Sequence, residues 1–413
     1  MATEKYGISA SLGTSLASTP VSTATEVVFI GGAKCKNIDN ETLDPHLNEP
    51  VMIKSLGEYN SIFGGEIGDG WSLSEAVESA FSICNLDHVF VINVFDPEDM
   101  NDESDITETE IKGLPSTETG IYAINKIYPN FGVVPNVLCC PLMSSTSLHD
   151  AMKTACTKIN GKFDAIVLAD VPEAEGQVIQ GRAQPSVIVD AKPNQNERII
   201  LNWGHIKTSS GSVISGAAVK ACLYAQNDAN NNDLPYRSIG NVSISGMQYI
   251  TLKSADSPVT LSDDNSTALS ADGITSFINI GGNRYFTWGD HTSAFSAGSV
   301  DDERARFDSN IRMLFYLTNK FQLKWRSIID SPMTLTLRNS ILNYEQNQLN
   351  YCVSQGALIG DPKIEFRPDD NTLNTLQQGQ FYFTELATVT PPSKFIDLKL
   401  SFTSDGFKVY LEA

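Results

Sequence analysis

The chain has 413 residues, and its 49 acidic and 29 basic side chains give a formal net charge of −20 at pH 7. So acidic a chain argues against a protein that holds nucleic acid or an anionic membrane by bulk charge. Seven scattered cysteines indicate buried, reduced thiols rather than a disulfide framework. We expect neither a transmembrane helix nor a secretory signal peptide, because the sequence lacks the apolar run that each requires. The length fits two or three domains at about 150 residues each.

The first residues predict a strand that has no obvious partner. Apolar side chains alternate with small polar ones at Tyr6, Ile8, Ala10 and Leu12. The Gly/Ser/Thr-rich stretch over residues 13–25 is typical of a linker. Since a lone strand cannot satisfy its own backbone groups, it must pair with another segment. Pairing within the chain and pairing with a neighbouring copy both remain open.

From residue 26 onward, strands and helices alternate, which predicts a mainly parallel sheet. The predicted strands are residues 27–30, 51–54, 89–95, 134–140, 165–169 and 198–203, with shorter strands over 241–280. The predicted helices are residues 55–63, 72–81, 119–127, 147–159 and 213–226. Ser72 and Glu75 predict a capping box at the start of the second helix. The acidic stretch at 96–110 predicts a solvated surface loop, with an acidic metal site as the alternative.

The block after residue 300 predicts a long helix with an apolar side and a basic side. The basic residues on the second arc are Arg304, Arg306, Arg312, Lys320, Lys324 and Arg326. A second helix is predicted from Ser331 and Pro332, as N-cap and first position, to Gly356. Strands are expected at residues 363–367 and 379–386.

The last twenty residues carry the clearest alternation in the chain. The apolar positions are Ile396, Leu398, Leu400 and Phe402, and then Phe407, Val409 and Leu411. Residues 404–406 supply a turn between the two sets. This pattern predicts a hairpin, or two strands with a bend, at the C-terminus. Like the first strand, it would present backbone groups that recruit another strand.

No motif demands catalysis, a cofactor or a metal. The glycine cluster at residues 65–70 has the order G-x-x-G-x-G and follows a helix, unlike a phosphate-binding turn. Five separated histidines show no metal-binding spacing. Residues 228–233 lack the glycine and glutamate of a calcium loop, so we interpret them as a turn. The residues alone therefore predict no catalytic residue, no cofactor and no metal site.

A set of segments in a fixed order carries a likeness to a known family. They are residues 6–9, 26–31, 48–55, 58–64, 71–76, 89–94, 201–206, 212–217, 222–226, 279–289, 302–330 and 344–360, with the final strands. The ordered set resembles the contractile tail sheath family of phages, R-type bacteriocins and related injection systems. Residues 96–118 and 171–197 depart from the family pattern, and the chain is compact for that family.

The resemblance implies a fold class of α/β and α+β with two domains and two arms. An outer α/β domain with a mixed sheet would occupy residues 26–275, with soft insertions near 96–118 and 171–197. An inner, tube-facing α+β domain would occupy 276–393. Extended N- and C-terminal strand arms would occupy residues 1–25 and 394–413. The arm residues that would pair with neighbouring subunits are Tyr6, Ile8, Ala10, Leu12, Ile396, Leu398, Leu400, Phe402, Phe407, Val409 and Leu411.

The resemblance also implies a structural, non-enzymatic function. The subunit would stack as hexameric rings around an inner tube and contract from a metastable extended state to drive the tube through a target envelope. Its partners would be other copies of itself, the inner tube protein, and baseplate and tail terminator proteins, with no cofactor, nucleic-acid contact or membrane insertion. It would be made in the bacterial cytoplasm and become part of a virion tail or contractile particle.

The basic helix face is the candidate for the tube contact that the resemblance implies. The candidate residues are Arg304, Arg312, Lys320, Lys324 and Arg326. A solvated helix face is the alternative interpretation. For the whole protein, the alternatives are a soluble α/β enzyme with a nucleotide or small-molecule site, and a non-contractile shell subunit.

Overall fold

The computed structural model describes residues 25–411, apart from residues 38, 40, 66, 194 and 283. The predicted strand of Tyr6, Ile8, Ala10 and Leu12 lies outside the described residues. The strands are β1 (Glu26–Gly31), β2 (Pro50–Ile53), β3 (Val89–Asn93), β4 (Pro135–Cys139), β5 (Ile166–Asp170), β6 (Val178–Ile179), β7 (Arg182–Ala183), β8 (Ile199–Asn202), β9 (His205–Thr208), β10 (Val213–Ile214), β11 (Ser243–Ile244), β12 (Met247–Thr251), β13 (Ile274–Asn279), β14 (Tyr285–Trp288), β15 (Leu358–Glu365) and β16 (Thr384–Val389).

The α-helices lie between these strands in the chain. They are α1 (Leu56–Phe63), α2 (Ser72–Glu78), α3 (Glu108–Lys112), α4 (Ile127–Phe131), α5 (Thr146–Ala155), α6 (Pro185–Asp190), α7 (Gly216–Ala229), α8 (Asp263–Ala271), α9 (Asp308–Trp325), α10 (Leu335–Ser354) and α11 (Leu373–Gln377). A π-helical turn (Ser79–Ile83) continues α2, and 3₁₀ turns lie at Glu103–Asp105, Gly120–Lys126, Glu303–Ala305, Arg326–Ile328 and Asp405–Tyr410.

Nine strands of the described chain form one large mixed sheet, in the order β11-β14-β13-β8-β5-β4-β1-β3-β2. The six strands from β13 to β3 are parallel neighbours, and the edge strands β2, β14 and β11 pair antiparallel. Every residue of β1, β3 and β5 is buried, as expected for apolar strands that are covered on both faces. The prediction of a mainly parallel sheet is confirmed.

Helix α7 covers the middle of this sheet and is buried along most of its length. Small side chains in its first turn let it approach the strands closely. A Cβ atom at Gly216 would overlap the Asn202 side chain and the Gly204 carbonyl oxygen, so only glycine fits there. The helix therefore lies against β1, β4 and β5 without a gap for a larger side chain.

The large sheet continues past the boundary that we expected between residues 275 and 276. That boundary falls inside β13, which pairs with β8 on one side and β14 on the other. A second, smaller apolar core lies between α9, α10 and the antiparallel β15–β16 hairpin. Its buried residues are Leu234, Met313, Leu349, Cys352, Ala357, Leu358 and Ile364. We call the unit formed by α9, α10, β15 and β16 the C-terminal module, and the part of the described chain before α9 the large-sheet body.

Two predicted helix caps were wrong. Helix α2 has Trp71 as its N-cap, and the Ser72 hydroxyl instead accepts a hydrogen bond of 2.9 Å from the Gly32 N–H across the fold. Helix α10 starts after Thr334, whose hydroxyl accepts from the Leu337 N–H at 3.1 Å, and not at Ser331. In the first case a tertiary contact competes for the hydroxyl. In the second a later residue supplies the cap.

The acidic stretch after β3 folds into short helical turns. Asp102 and Asp105 cap the 3₁₀ turn Glu103–Asp105, and Thr107 with Glu110 forms a capping box on α3. Most of these carboxylates therefore accept hydrogen bonds from nearby backbone N–H groups. Glu103 turns inward instead and accepts from the Ser72 N–H at 3.3 Å, and burial raises the pKa of its carboxyl to about 7.

Candidate assembly surface

The C-terminal segment, residues 390–411, leaves the C-terminal module at the end of β16. Thr390 holds its root: the N–H donates to the Ala357 carbonyl oxygen at 3.1 Å, and the hydroxyl donates to that of Gly356 at 2.7 Å. Four residues later, Lys394 forms an ion pair with the buried Asp290 of the large-sheet body. These contacts fix the root of the segment on both parts of the molecule.

Beyond Lys394 the segment carries its apolar side chains into solvent. The exposed fractions are 84% for Phe395, 85% for Ile396, 83% for Leu398, 88% for Leu400 and 86% for Phe402. No hydrogen bond or strand pairing joins residues 395–402 to the remainder of the described chain. An apolar, alternating segment without a sheet of its own has the character of a free strand.

The predicted C-terminal hairpin does not form in the single chain. Residues 396–402 are unpaired, and the strand prediction for Phe407, Val409 and Leu411 is wrong, because Asp405–Tyr410 is a 3₁₀ turn. Its local bonds run from the Phe407 N–H to the Ser404 carbonyl oxygen (3.0 Å) and from the Leu411 N–H to that of Lys408 (2.9 Å). An exposed two-stranded hairpin buries too little surface to hold itself together, so local turns win.

The β15–β16 hairpin beside this segment has one open edge, along β16. On the β15 side, the Gln346 side chain of α10 donates to the Pro362 carbonyl oxygen at 2.9 Å and accepts from the Ile364 N–H at 3.4 Å. Within the described residues, each of its two strands has a single hydrogen-bonded neighbour. The hairpin is supported from one side by α10, which makes a two-stranded sheet stable that would be marginal alone. Its unpaired backbone groups are a template to which a further strand can add.

The structure divides the predicted basic helix face into two sets. Arg312 is buried, with a side chain only 4% exposed that pairs with Asp228 and lies 4.0 Å from the centre of the Tyr224 ring. Its place in an exposed binding face is therefore wrong for this chain. Arg304 lies on the 3₁₀ turn before α9, where its guanidinium pairs with Glu197 at 2.6 Å and with Asp302 at 3.3 Å.

Lys320 and Lys324 on the second half of α9, and Arg326 in the 3₁₀ turn that follows it, are exposed. None of the three forms an ion pair within the described part of the chain. We call these three residues the basic patch. Their cations lie over aromatic rings, at 5.2 Å from the Tyr316 centre for Lys320, 4.3 Å from Tyr344 for Lys324 and 5.6 Å from Tyr128 for Arg326. The rings orient the cations while leaving their charge available to an anionic partner.

Sequence reasoning missed two residues of this region. Asp228, which we interpreted as part of a turn, lies in α7 and accepts a hydrogen bond of 2.7 Å from the Thr25 hydroxyl in addition to pairing with Arg312. Arg338 on α10 lies 5.5 Å from the centre of the Phe366 ring. These partners are far apart in the chain, so no local pattern could have revealed them.

The carboxyl edge of the parallel sheet, where α/β enzymes bind ligands, is filled by the protein's own side chains near β1. At Gly32, directly after β1, a Cβ atom would overlap Glu103 and Ile106 of the acidic stretch. These side chains occupy the space directly beside Gly32.

In a serine–histidine pair near the same edge, the hydrogen bond runs in the wrong direction for nucleophilic catalysis. The Ser144 hydroxyl lies 3.1 Å from His149 Nε2, but it donates its proton to the Asp170 carbonyl oxygen. The imidazole must therefore donate to the hydroxyl instead of taking its proton. Burial lowers the pKa of His149 to about 4, so the ring stays neutral at pH 7. The pair joins the start of α5 to β5.

Two findings concern the described residues alone. None of their helices is long and apolar enough to cross a membrane. Within the same residues, no three His, Cys, Asp or Glu side chains are grouped so that they could hold a metal ion. The acidic metal site considered for residues 96–110 has no such group in the described ranges.

Neither a protein-family model nor a curated protein matches this sequence. Solved structures match it over almost its full length. A chain of the anti-feeding prophage baseplate is 16% identical, with a TM-score of 0.67 over 97% of this chain and 100% of that one. The sheath of the extracellular contractile injection system PVC, in its contracted state, is 17% identical, with a TM-score of 0.67 over 99% of both chains. The sheath tail protein Lin1278 from Listeria innocua is 12% identical, with a TM-score of 0.52 over 91% of this chain and 96% of that one.

The chain has the fold of contractile sheath proteins. The resemblance found in the sequence is thereby confirmed at the level of the fold, since identities this low show shared architecture and no more. Because the alignments with the first two structures span nearly all of both chains, the sheath fold here carries neither a large extra domain nor a large deletion relative to them.

Proposed function

We propose that the protein is the subunit of a contractile sheath. The observation that carries the proposal is the free C-terminal segment: residues 395–402 expose alternate apolar side chains and pair with nothing in the described chain. In an assembly of such chains, this segment would add as a strand to a sheet of a neighbouring copy. The open edge of the β15–β16 hairpin is the acceptor that we propose.

In this proposal, copies assemble as hexameric rings that stack around an inner tube and contract from a metastable extended state. Strand addition joins neighbours by backbone hydrogen bonds, so the copies stay connected while their folded bodies shift as rigid units. The energy of contraction would come from the difference between two packings of one protein, without a cofactor. The inner tube, baseplate and tail terminator proteins would be the other partners.

The basic patch is the surface that we propose for the inner tube. Lys320, Lys324 and Arg326 are exposed cations on a chain whose net charge is −20, so they form a local positive site on an acidic molecule. Such a patch would hold an acidic tube surface electrostatically, and raising the ionic strength would weaken that contact. Under this proposal the C-terminal module faces the tube and the large-sheet body lies outside.

The test is the state of assembly of the purified full-length chain, observed by negative-stain electron microscopy and sedimentation. We expect rings or long polymers from the wild type and dispersed subunits from Leu398→Asp/Leu400→Asp, because a buried carboxylate would oppose strand addition. Lys399→Ala changes the opposite face of the same segment and should leave the polymers intact. Monomers from the wild type under all conditions, or polymers that the double substitution leaves unchanged, would overturn the proposal.

Contraction is tested on the same polymers. Imaging before and after mild urea or acid should show two lengths, the second shorter and wider. A single length under all conditions would favour the non-contractile shell subunit, which would use the same free segment.

A further inference from the structure

The C-terminal segment is attached at two points that belong to different parts of the molecule. Thr390 bonds to the carbonyl oxygens of Gly356 and Ala357 in the C-terminal module. Lys394 reaches Asp290, in the loop that follows β14 of the large-sheet body. Pro391 and Pro392 lie between the two anchors, and their fixed φ angles make the connection a stiff, extended spacer.

Packing contributes little to holding this spacer. Residues 392–394 line a cavity of about 630 Å³ together with residues of the large-sheet body, including Trp288 and Phe295. The spacer borders an open space instead of a filled core. Its attachment to the large-sheet body therefore depends on the charge of Lys394, which pairs with Asp290. Its ammonium also lies 5.9 Å from the centre of the Phe307 ring, which adds a weak cation–π contact.

The surroundings of Asp290 make it a strong anchor for a cation. Its side chain is 3% exposed and meets Lys394 as an ion pair without a well-aligned hydrogen bond. Helix α9 brings a second carboxyl, Asp308, close to it; burial and then the Asp290 charge raise the pKa of Asp308 to about 7. Removing Lys394 would leave the buried Asp290 carboxylate without its cation, close to a second buried carboxyl group.

The other groups around Asp290 do not replace Lys394. Helix α7 contributes Lys220, which donates to the Ser276 carbonyl oxygen at 3.2 Å and whose pKa burial lowers well below its usual value. The same helix contributes the Tyr224 hydroxyl, which donates to Asp308 and not to Asp290. His291 is stacked between two phenylalanine rings, and burial lowers its pKa. Losing the partner of a buried charge is strongly unfavourable, so the ion pair should resist opening.

We propose that the ion pair of Lys394 and Asp290 is a latch that fixes the direction in which residues 395–402 leave the molecule. While it is closed, the segment leaves from one position on the large-sheet body. When the ion pair opens, the stiff spacer turns about Thr390 and residues 395–402 occupy a wider range of positions relative to the large-sheet body. The latch is a property of the single chain. Only its role in assembly, where the segment would pair with a neighbouring copy, rests on the proposed function.

The experiment measures the distance between two spin labels by pulsed electron paramagnetic resonance. All seven native cysteines are buried, so two introduced surface cysteines can be labelled selectively: Ile396→Cys on the segment and Ala268→Cys at an exposed position of α8. The full chain carries Leu398→Asp/Leu400→Asp, which keeps a neighbouring copy from setting the distance. We expect one narrow distance distribution for this chain.

Opening the latch should broaden that distribution. Lys394→Gln and Asp290→Asn should each widen it at least about twofold, and Lys394→Arg should keep it narrow. Lys399→Gln, which removes a charge from the same segment, is the matched control and should have no effect. Circular dichroism melting shows that each variant is folded at the temperature of the measurement.

Two results would overturn the latch: a distribution as broad in the starting chain as in Lys394→Gln, or a distribution that stays narrow after both Lys394→Gln and Asp290→Asn. Neither result depends on whether the wild type forms polymers. A chain that polymerises without a latch and a chain that has a latch but never polymerises are therefore distinguished.

Discussion

The large-sheet body and the C-terminal segment both carry apolar, strand-like sequence, but the first is buried and the second is exposed. All six residues of β1 are buried, whereas Leu400 and Phe402 of the segment are 88% and 86% exposed. Strand β1 has a hydrogen-bonded neighbour on each side and helices over its faces, and the segment has neither. Apolar, strand-like sequence therefore forms a strand only where a pairing strand and a covering layer are both present.

The largest effect expected from this comparison separates two phenylalanines. Phe29→Ala should lower the free energy of unfolding by about 3–5 kcal/mol, because Phe29 is fully buried in β1. Phe402→Ala should change it by less than about 0.5 kcal/mol in the separated chain, since its ring is already in water. Urea unfolding followed by circular dichroism measures both, and equal losses would contradict the contrast.

A second comparison contrasts two arginines of the predicted basic helix. Arg312→Ala should cost about 3–5 kcal/mol, because it leaves the Asp228 carboxylate buried without its cation. Arg326→Ala, on the exposed patch, should stay within about 0.5 kcal/mol of the wild type. The same unfolding measurements apply. A small loss for Arg312→Ala would show that Asp228 finds another partner or takes up a proton.

The third expected effect depends on pH. Burial, followed by the nearby Glu78 charge, raises the pKa of Glu75 from 4.5 to about 7. The folded chain therefore keeps a proton that the unfolded chain releases, and the stability from this group is present below pH 4.5 and lost as the pH rises through 7. The loss amounts to about 3 kcal/mol at most.

Glu75→Gln removes this linkage and should flatten the fall in unfolding free energy between pH 5 and pH 8. The residual slope comes from Asp308, Glu103 and Glu385, whose pKa values burial also raises to about 7. Glu98→Gln is the control on an exposed carboxyl. A slope that Glu75→Gln leaves unchanged would mean that Glu75 releases its proton at the same pH in the folded and unfolded chains, which contradicts the prediction.

Much of the large-sheet body could be predicted because its signals are local. The continuous apolar runs of β1, β3 and β5 were found within two residues of their ends, and Ser55 was placed at the start of α1, where its hydroxyl accepts from the Glu58 N–H at 3.1 Å. Of the candidate assembly surface, the alternation of Ile396 to Phe402 and the exposed patch residues could also be found. The single-chain structure of that segment could not, because it depends on a partner.

What the amino-acid sequence alone determined is therefore most of the strands and helices of the large-sheet body, the acidic charge and the apolar alternation at the C-terminus. These properties depend on side chains and hydrogen bonds within a few residues of each other. Only the tertiary structure decided that Arg312 is buried while Lys320 is exposed, that β13 belongs to the large sheet, and that Lys394 meets Asp290. Those outcomes depend on which faces meet across tens or hundreds of residues, where ion pairs and burial act and periodicity carries no information.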